Sequence, residues 1–166
     1  KLLELGTGSG AISISIFKEC PWLNITATDI SYKAIQMAQK NAKINKSKIN
    51  FVNCNWYKPF AQNNFDIILS NPPYLSKTEF LNNKDELQFE PESALVSYDE
   101  GLGDLKKIIS GAKQMLSKKG MLFLEHSFNH AAKIKEFLYK QNFIEIKTYN
   151  DIAGHERVTS AKVSDG

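Results

Sequence analysis

Along the chain, short runs rich in apolar and β-branched residues alternate with longer stretches whose apolar positions recur every three to four residues. That alternation predicts strands and helices in turn, the pattern of a sheet with helices on both faces. Lys1–Leu5 reads as a first strand and Ser9–Glu19 as a helix with Ile12, Ile16 and Phe17 facing inward, stopped by Pro21. Asn24–Thr28 reads as a second strand. Ser31 is placed to cap a helix running to about Lys43, with Ala34, Ile35, Ala38 and Ala42 at helical spacing. Ile49–Cys54 and Phe65–Leu69 are the third and fourth strands, short apolar runs of the kind buried on both faces.

Leu75 to Asp99 shows little period and reads as a long irregular excursion, and loops of that length in a compact domain usually carry function. Beyond it a helix is expected from about Asp104 to Ser117, stopped by Lys118-Lys119-Gly120, where the lysines suit a helix C-terminus. Met121–Glu125 is the next strand, Ala131–Gln141 a helix, and Phe143–Tyr149 and Arg157–Val163 the last strands. The expected architecture is one α/β domain over residues 1–166 with seven strands and four helices.

Composition narrows the function classes. The chain has 166 residues, 42% apolar and 23% charged, enough to bury one sizeable core. Its apolar runs fall well short of the ~20 residues of a membrane helix. A net charge of +3, with Arg157 the single arginine among many lysines, is weak for a general polyanion binder. Enrichment in Lys, Ile and Asn together fits an AT-rich coding sequence better than a phosphate-reading surface. Cys20 and Cys54 form no CxxC pair, so a reduced, cytoplasmic setting is expected. Cys54 itself reads as a small core residue of an apolar strand. His126 and His130 stand four apart across a strand–helix break, which gives no shared helix face, and no metal is expected. The chain starts at Lys1, inside an apolar run, so its natural start is expected upstream.

The chemistry concentrates in two motifs. Glu4-Leu5-Gly6-Thr7-Gly8-Ser9-Gly10 stands between a strand and a helix, where glycines let the backbone turn tightly and approach a ligand. Asp29 follows nineteen residues after Gly10 at the end of the second strand, where a carboxylate can accept both hydroxyls of a ribose. These letters suit a dinucleotide and S-adenosylmethionine alike. The second motif, Asn71-Pro72-Pro73-Tyr74, directly follows the fourth strand. Two prolines remove backbone donors and hold the chain extended, leaving the Pro72 carbonyl free to accept. An amide or exocyclic amine has two hydrogens, and the Asn71 side-chain oxygen with the Pro72 carbonyl can hold both. Methyl transfer to such a planar, weakly nucleophilic nitrogen depends on that positioning. Tyr74 offers a flat face beside the acceptor, whose π-cloud also favours a sulfonium charge.

With both motifs in this order, the sequence resembles the seven-strand, Rossmann-like S-adenosylmethionine-dependent amino-methyltransferases. More narrowly it is similar to the glutamine-N5 methyltransferases of peptide chain release factors. The narrow likeness rests on the two motifs together with Asn55-Trp56, Phe89-Glu90-Pro91, Ala94-Leu95, Gly101 to Leu105, Leu124-Glu125-His126, and Asp151 with Glu156-Arg157-Val158. The resemblance implies a mostly parallel sheet with an antiparallel last strand. It implies that Gly6, Thr7, Gly8, Ser9 and Gly10 cradle the methionine part of S-adenosyl-L-methionine, that Asp29 holds the ribose, that Asn55 and Trp56 meet the adenine and that Asn71 also touches the cofactor. Asn71, Pro72, Pro73 and Tyr74 would hold the target glutamine, the Gly-Gly-Gln residue of a class 1 release factor, and S-adenosyl-L-homocysteine would be the other product. Glu90 is weighed evenly between a place near that pocket and a solvated loop charge. A monomer in the cytoplasm acting on protein, without membrane or direct nucleic-acid binding, is the expectation.

Departures from the family pattern qualify this. An acid is usual where Asn55 stands, and a neutral amide accepts a weaker bond. Ser127 and Asn129 replace a usual Gly and Gln, and the family's preceding helical recognition domain is expected to be absent from this chain. Two rivals remain: methylation of an exocyclic amine in RNA or DNA, and an inactive methyltransferase-like binding module. A nicotinamide oxidoreductase would leave the tetrapeptide without a role.

Overall fold

The apolar runs form strands β1 (Leu2–Leu5), β2 (Ile25–Asp29), β3 (Asn50–Asn53), β4 (Phe65–Ser70), β5 (Leu116–Glu125), β6 (Phe143–Asn150) and β7 (Glu156–Val163). They are seen in a computed structural model that describes residues 1–60, 65–87, 89 and 91–164. The strands make one sheet in the order β3-β2-β1-β4-β5-β7-β6. Neighbours from β3 through β5 pair parallel, and the last strand, β7, enters antiparallel between β5 and β6. The chain leaves β1 toward β2 and β3, then returns to β4 on its other side. That reversal opens a crevice at the carboxyl ends of β1 and β4, where open α/β sheets bind ligands.

The long helices are α1 (Ala11–Glu19), α2 (Tyr32–Ile44), α6 (Gly103–Met115) and α7 (Ala131–Lys140), with short helices α3 (Lys77–Asn82), α4 (Lys84–Leu87) and α5 (Glu92–Leu95) between β4 and α6. Leu3, Leu5, Ile68, Leu122 and Leu124 of the central strands pack with Leu105, Ile108, Ile109, Ile134 and Leu138 of α6 and α7 into the main core. Each such side chain contributes about 1.5–3 kcal/mol by burial. Ser31 caps α2 as its sequence position suggests, its hydroxyl accepting from the Ala34 amide at 3.3 Å. Among the described residues no helix is long and apolar enough to cross a membrane.

Several expectations are corrected. α1 buries Ser13 and Ile14, while Ile12 is exposed and Ile16 and Phe17 are half-buried. The helix is rotated because Ser13 donates its hydroxyl to the buried carboxylate of Glu4, a polar anchor that hydrophobic spacing does not reveal. The third strand is not buried on both faces. It is an edge strand whose residues are half-buried or exposed. The excursion from Leu75 to Asp99 carries α3, α4 and α5, closed by a bridge between Leu75 and Val96. Its first helix starts with a capping box, in which Glu79 N–H donates to Ser76 Oγ and Ser76 N–H donates to Glu79 Oε2. α6 ends at Met115, and Lys118 and Lys119 lie inside β5 instead of capping a helix. Lys119 takes a positive φ of 66° there, and the pairing with β4 shifts register between Phe65 and Ile67, so an irregular strand replaces a turn.

Candidate active site

Because β1, β2 and β4 run parallel, their carboxyl ends bring the glycine loop, Asp29 and Asn71 to one edge of the sheet. The loop is held from beneath by Glu4. Its buried Oε2 accepts from the Thr7 hydroxyl at 2.6 Å and from the Ser13 hydroxyl. Burial pushes the Glu4 carboxyl above the ordinary carboxylate range, against the pull of those hydroxyls. From the neighbouring strand, Asp29 Oδ2 accepts from the Gly8 amide at 2.9 Å and Oδ1 from the Ser31 amide at 2.8 Å. One carboxylate therefore ties the glycine loop to the start of α2.

A cavity of about 630 Å³ opens above this platform. Gly6, Gly8, Asp29, Asn55, Trp56, Asn71 and Pro73 line it, seven of the twelve residues that the sequence assigns to cofactor and acceptor. Gly6 lies between two of them: a Cβ there would stand 3.6 Å from the Trp56 indole and 4.0 Å from the Asn71 carbonyl. The Trp56 loop is fastened to α6 by Tyr57, whose hydroxyl donates to the Ile108 carbonyl at 2.9 Å. The remaining predicted residues support the cavity without lining it. Thr7 and Pro72 are buried, Ser9 offers its carbonyl to Asn41, Gly10 packs on Ala38 of α2, and Tyr74, next in the chain to the lining residue Pro73, is half-buried against the main core. Glu90 lies outside the described residues. Among the described residues, no donor is bonded to the Asn71 side chain or to the Pro72 carbonyl.

Other residues of the site were not apparent from spacing. Pro91, Ser93 and Ala94, at and around α5, form a wall of the cavity, as do Asp104 and Lys107 of α6. Asp104 Oδ2 accepts from the Ser97 hydroxyl at 2.8 Å, and the Lys107 ammonium lies 4.8 Å above the Tyr98 ring. Pro91 ahead of the acidic Glu92 was the sequence signal for this short helix. Cys54 is no core residue: β3 ends at Asn53, and the half-buried thiol lines the cavity and donates to the Trp56 carbonyl at 3.3 Å. Burial raises that thiol above its ordinary range, which favours the protonated form.

Tyr74 is held at both ends. Its hydroxyl donates to Glu125 Oε1 at 3.4 Å, and burial, reinforced by that carboxylate, raises the phenol above its ordinary range. Its carbonyl lies against Gly101, the last of three successive left-handed residues, Asp99, Glu100 and Gly101 at φ 56°, 53° and 83°. His130 stabilises that turn by donating from Nε2 to the Glu100 carbonyl at 3.0 Å. His126 is buried on the other side, with Nδ1 on the Ser127 carbonyl and Nε2 accepting from the Thr159 hydroxyl. Burial lowers both imidazoles below the ordinary histidine value, so both are neutral supports of the fold.

Residues 1–90 match the family model of the methyltransferase small domain. The chain belongs to that family. As a methyltransferase domain it is 37% identical over 160 residues to a release factor glutamine methyltransferase of Aliivibrio fischeri, covering 95% of this chain and 56% of the relative. It is 39% identical over 159 residues to the protein of that name from Buchnera aphidicola, covering 95% and 58%. The chain thus spans a little over half the length of the curated relatives it matches. A methyltransferase of Pyrococcus furiosus has the same fold, with a TM-score of 0.74 at 20% identity over 98% of this chain and 74% of that one.

Proposed function

We propose that this chain is the catalytic part of an S-adenosylmethionine-dependent methyltransferase that modifies the side-chain amide nitrogen of a glutamine in a class 1 peptide chain release factor. The observation that carries the reading is the convergence of Asn71 with Gly6, Gly8, Asp29 and Trp56 on one cavity. An acceptor-holding motif and a cofactor-type loop share a single space. The acceptor class is supported by the relatives, which carry the release factor name at 37% and 39% identity.

The residues present suit the cofactor. Gly8 has φ +55° and a Cβ there would meet nothing within 4 Å, so the loop leaves room for a ligand against bare backbone. Asp29 spends one lone pair of each oxygen on the loop and on α2, and keeps the others for the hydroxyls of a ribose. Trp56 offers an aromatic face, while Asn55 accepts from an amine without the charge of an acid. The bound cofactor supplies an electrophilic methyl group on a sulfonium. Asn71 accepts from one amide hydrogen of the glutamine and the carbonyl of the buried Pro72, set between the lining residues Asn71 and Pro73, from the other, orienting the glutamine nitrogen, and the buried platform of Glu4, Thr7 and Ser13 keeps the loop rigid. No general base is required, since the nitrogen's extra proton becomes strongly acidic once the methyl has transferred.

The test is to incubate the chain with methyl-labelled cofactor and either a class 1 release factor or total RNA and DNA. One methyl group on the Gly-Gly-Gln glutamine, read by mass spectrometry, is the expected result. Label in nucleic acid alone overturns the acceptor. No cofactor binding by calorimetry would leave an inactive module. The modest net charge of +3 with a single arginine favours the protein acceptor.

A further inference from the structure

Leu124 of β5 pairs with Ser70 of β4, so the next residue of each chain segment stands at the same sheet edge: Glu125, the last residue of β5 and still paired with Val158 of β7, and Asn71, the first residue beyond β4. The chain turns back through Pro72 and Pro73 and returns the Tyr74 hydroxyl to Glu125 Oε1. Gly101 holds the backbone end of Tyr74, leaving the phenol end to be set by Glu125 alone on β5 and by Arg157, which faces the same hydroxyl from β7. Arg157 is itself anchored, donating from Nε to Asp151 Oδ2 at 3.2 Å and from Nη1 to the His126 carbonyl at 3.3 Å.

We propose that Glu125 is a positioning residue for methyl transfer, holding the Tyr74 ring against the acceptor amide through the phenol hydroxyl. The inference rests on the functional reading above and adds a residue to it. Without Glu125 the Tyr74 hydroxyl still faces Arg157, but a guanidinium only donates and cannot take the phenol proton, so the ring loses the one acceptor that fixes it and turns more freely about its side-chain torsions. A separation of 3.4 Å is long for O–H···O, and such contacts tighten when substrate closes the site. Arg157 offsets the carboxylate's charge, so a bare negative group does not face the acceptor pocket. A structural role for Glu125 would instead appear as lost cofactor binding and stability.

The experiment compares Glu125→Ala, Glu125→Gln, Tyr74→Phe and the Tyr74→Phe/Glu125→Ala pair, using S-adenosylmethionine and a class 1 release factor. Glu125→Ala is expected to lower kcat by at least about tenfold with cofactor affinity unchanged by calorimetry, while Glu125→Gln, which keeps an acceptor oxygen, recovers most of the rate. The double variant should be no slower than Tyr74→Phe alone, because one hydroxyl carries the effect. Additive losses, or Glu125→Gln as slow as Glu125→Ala, overturn the proposal. Separately, NMR of ring-labelled tyrosine, with the Tyr74 signal assigned by its loss in Tyr74→Phe, should show the phenol titrating at lower pH in Glu125→Gln than in the wild type. An unmoved titration also overturns it. Wild-type chain that methylates no glutamine overturns the functional reading and the proposal with it, while the titration still distinguishes a formed pair from an absent one.

Discussion

The Gly8 amide donates to Asp29 Oδ2 at 2.9 Å, joining residues of two adjacent strand ends across the floor of the cavity. A loop that must present bare backbone to a ligand is thereby held by the same carboxylate that faces the ligand. The two functions cannot be separated by mutation at Asp29 without choosing a substitute that fails one of them.

Asp29→Asn is such a substitute. Its amide replaces one accepting oxygen by a donor, which must face either the Gly8 or the Ser31 N–H, and it removes the charge that strengthens a bond to a ribose hydroxyl. Loss of a charge-assisted bond corresponds to about ten- to a hundredfold weaker S-adenosylmethionine binding, to be read by calorimetry. The acceptor side is untouched, so turnover at saturating cofactor should fall much less.

Gly101 and Gly8 give opposite responses to the same substitution. In Gly101→Ala the new Cβ would lie 2.2 Å from the Tyr74 carbonyl oxygen, backbone against backbone, at a φ of +83°. Left-handed strain of about 1–2 kcal/mol adds to an overpacking cost of about 1–3 kcal/mol, and Tm should drop by on the order of 10 °C. In Gly8→Ala the Cβ meets nothing in the protein, so Tm should fall by only a few degrees, about the strain alone. Its loss shows in cofactor affinity, because the methyl group occupies ligand space. Thermal melts with and without S-adenosylmethionine check both.

Much of this was legible in the sequence because the signals are local. Ser31 caps α2 from its own helix, and the glycine loop, Asp29 and Asn71 each end a strand, so the parallel topology alone brings them together. What the sequence hid depends on long-range partners. The Tyr74–Glu125 and Glu4–Ser13 pairs have no spacing rule that marks them, and the second of these rotates α1 away from the face its apolar residues suggest. The start of β5 was hidden for a different reason: Met115 ends α6 and Leu116 begins the strand with no turn residue between them. Lys118, Lys119 and Gly120 look like a stop, yet their irregularity is absorbed as a register shift within the strand.

The buried imidazoles make folding stability depend on pH in a stated direction. His126 and His130 have folded-state pKa values lowered by burial below the ordinary 6.5, so between those values the unfolded chain binds more protons. Stability is complete above about pH 6.5 and falls as pH drops below it, by at most about 1.4 kcal/mol per pH unit for each histidine. Glu4 acts with the opposite sign, since its raised carboxyl favours the folded state when protonated and loses that contribution as pH rises from 4.5 through its folded value. In Glu4→Gln, which removes the opposing carboxyl, urea denaturation from about pH 7.5 to about pH 5.5 should show a falling midpoint, and a flat or rising midpoint in that variant would refute the assignment of neutral histidines.

The acceptor role of Asn71 is distinguishable from a merely steric one. Asn71 lines the cavity, and the role proposed for its side chain is to accept a hydrogen from the target nitrogen. Asn71→Ala removes that acceptor and should reduce methyl transfer by about a hundredfold or more while leaving S-adenosylmethionine binding near the wild-type value, since the loop and Asp29 are unchanged. Asn71→Asp keeps the shape and the accepting oxygens while exchanging the amide hydrogens for a negative charge, which an N–H donor and a sulfonium both tolerate, so it should retain clearly more turnover than Asn71→Ala. If Asn71→Asp is as inactive as Asn71→Ala with cofactor binding intact, the accepting role assigned to this side chain is overturned. Single-turnover methylation of a release factor, with cofactor saturating in both variants, reads the ranking directly.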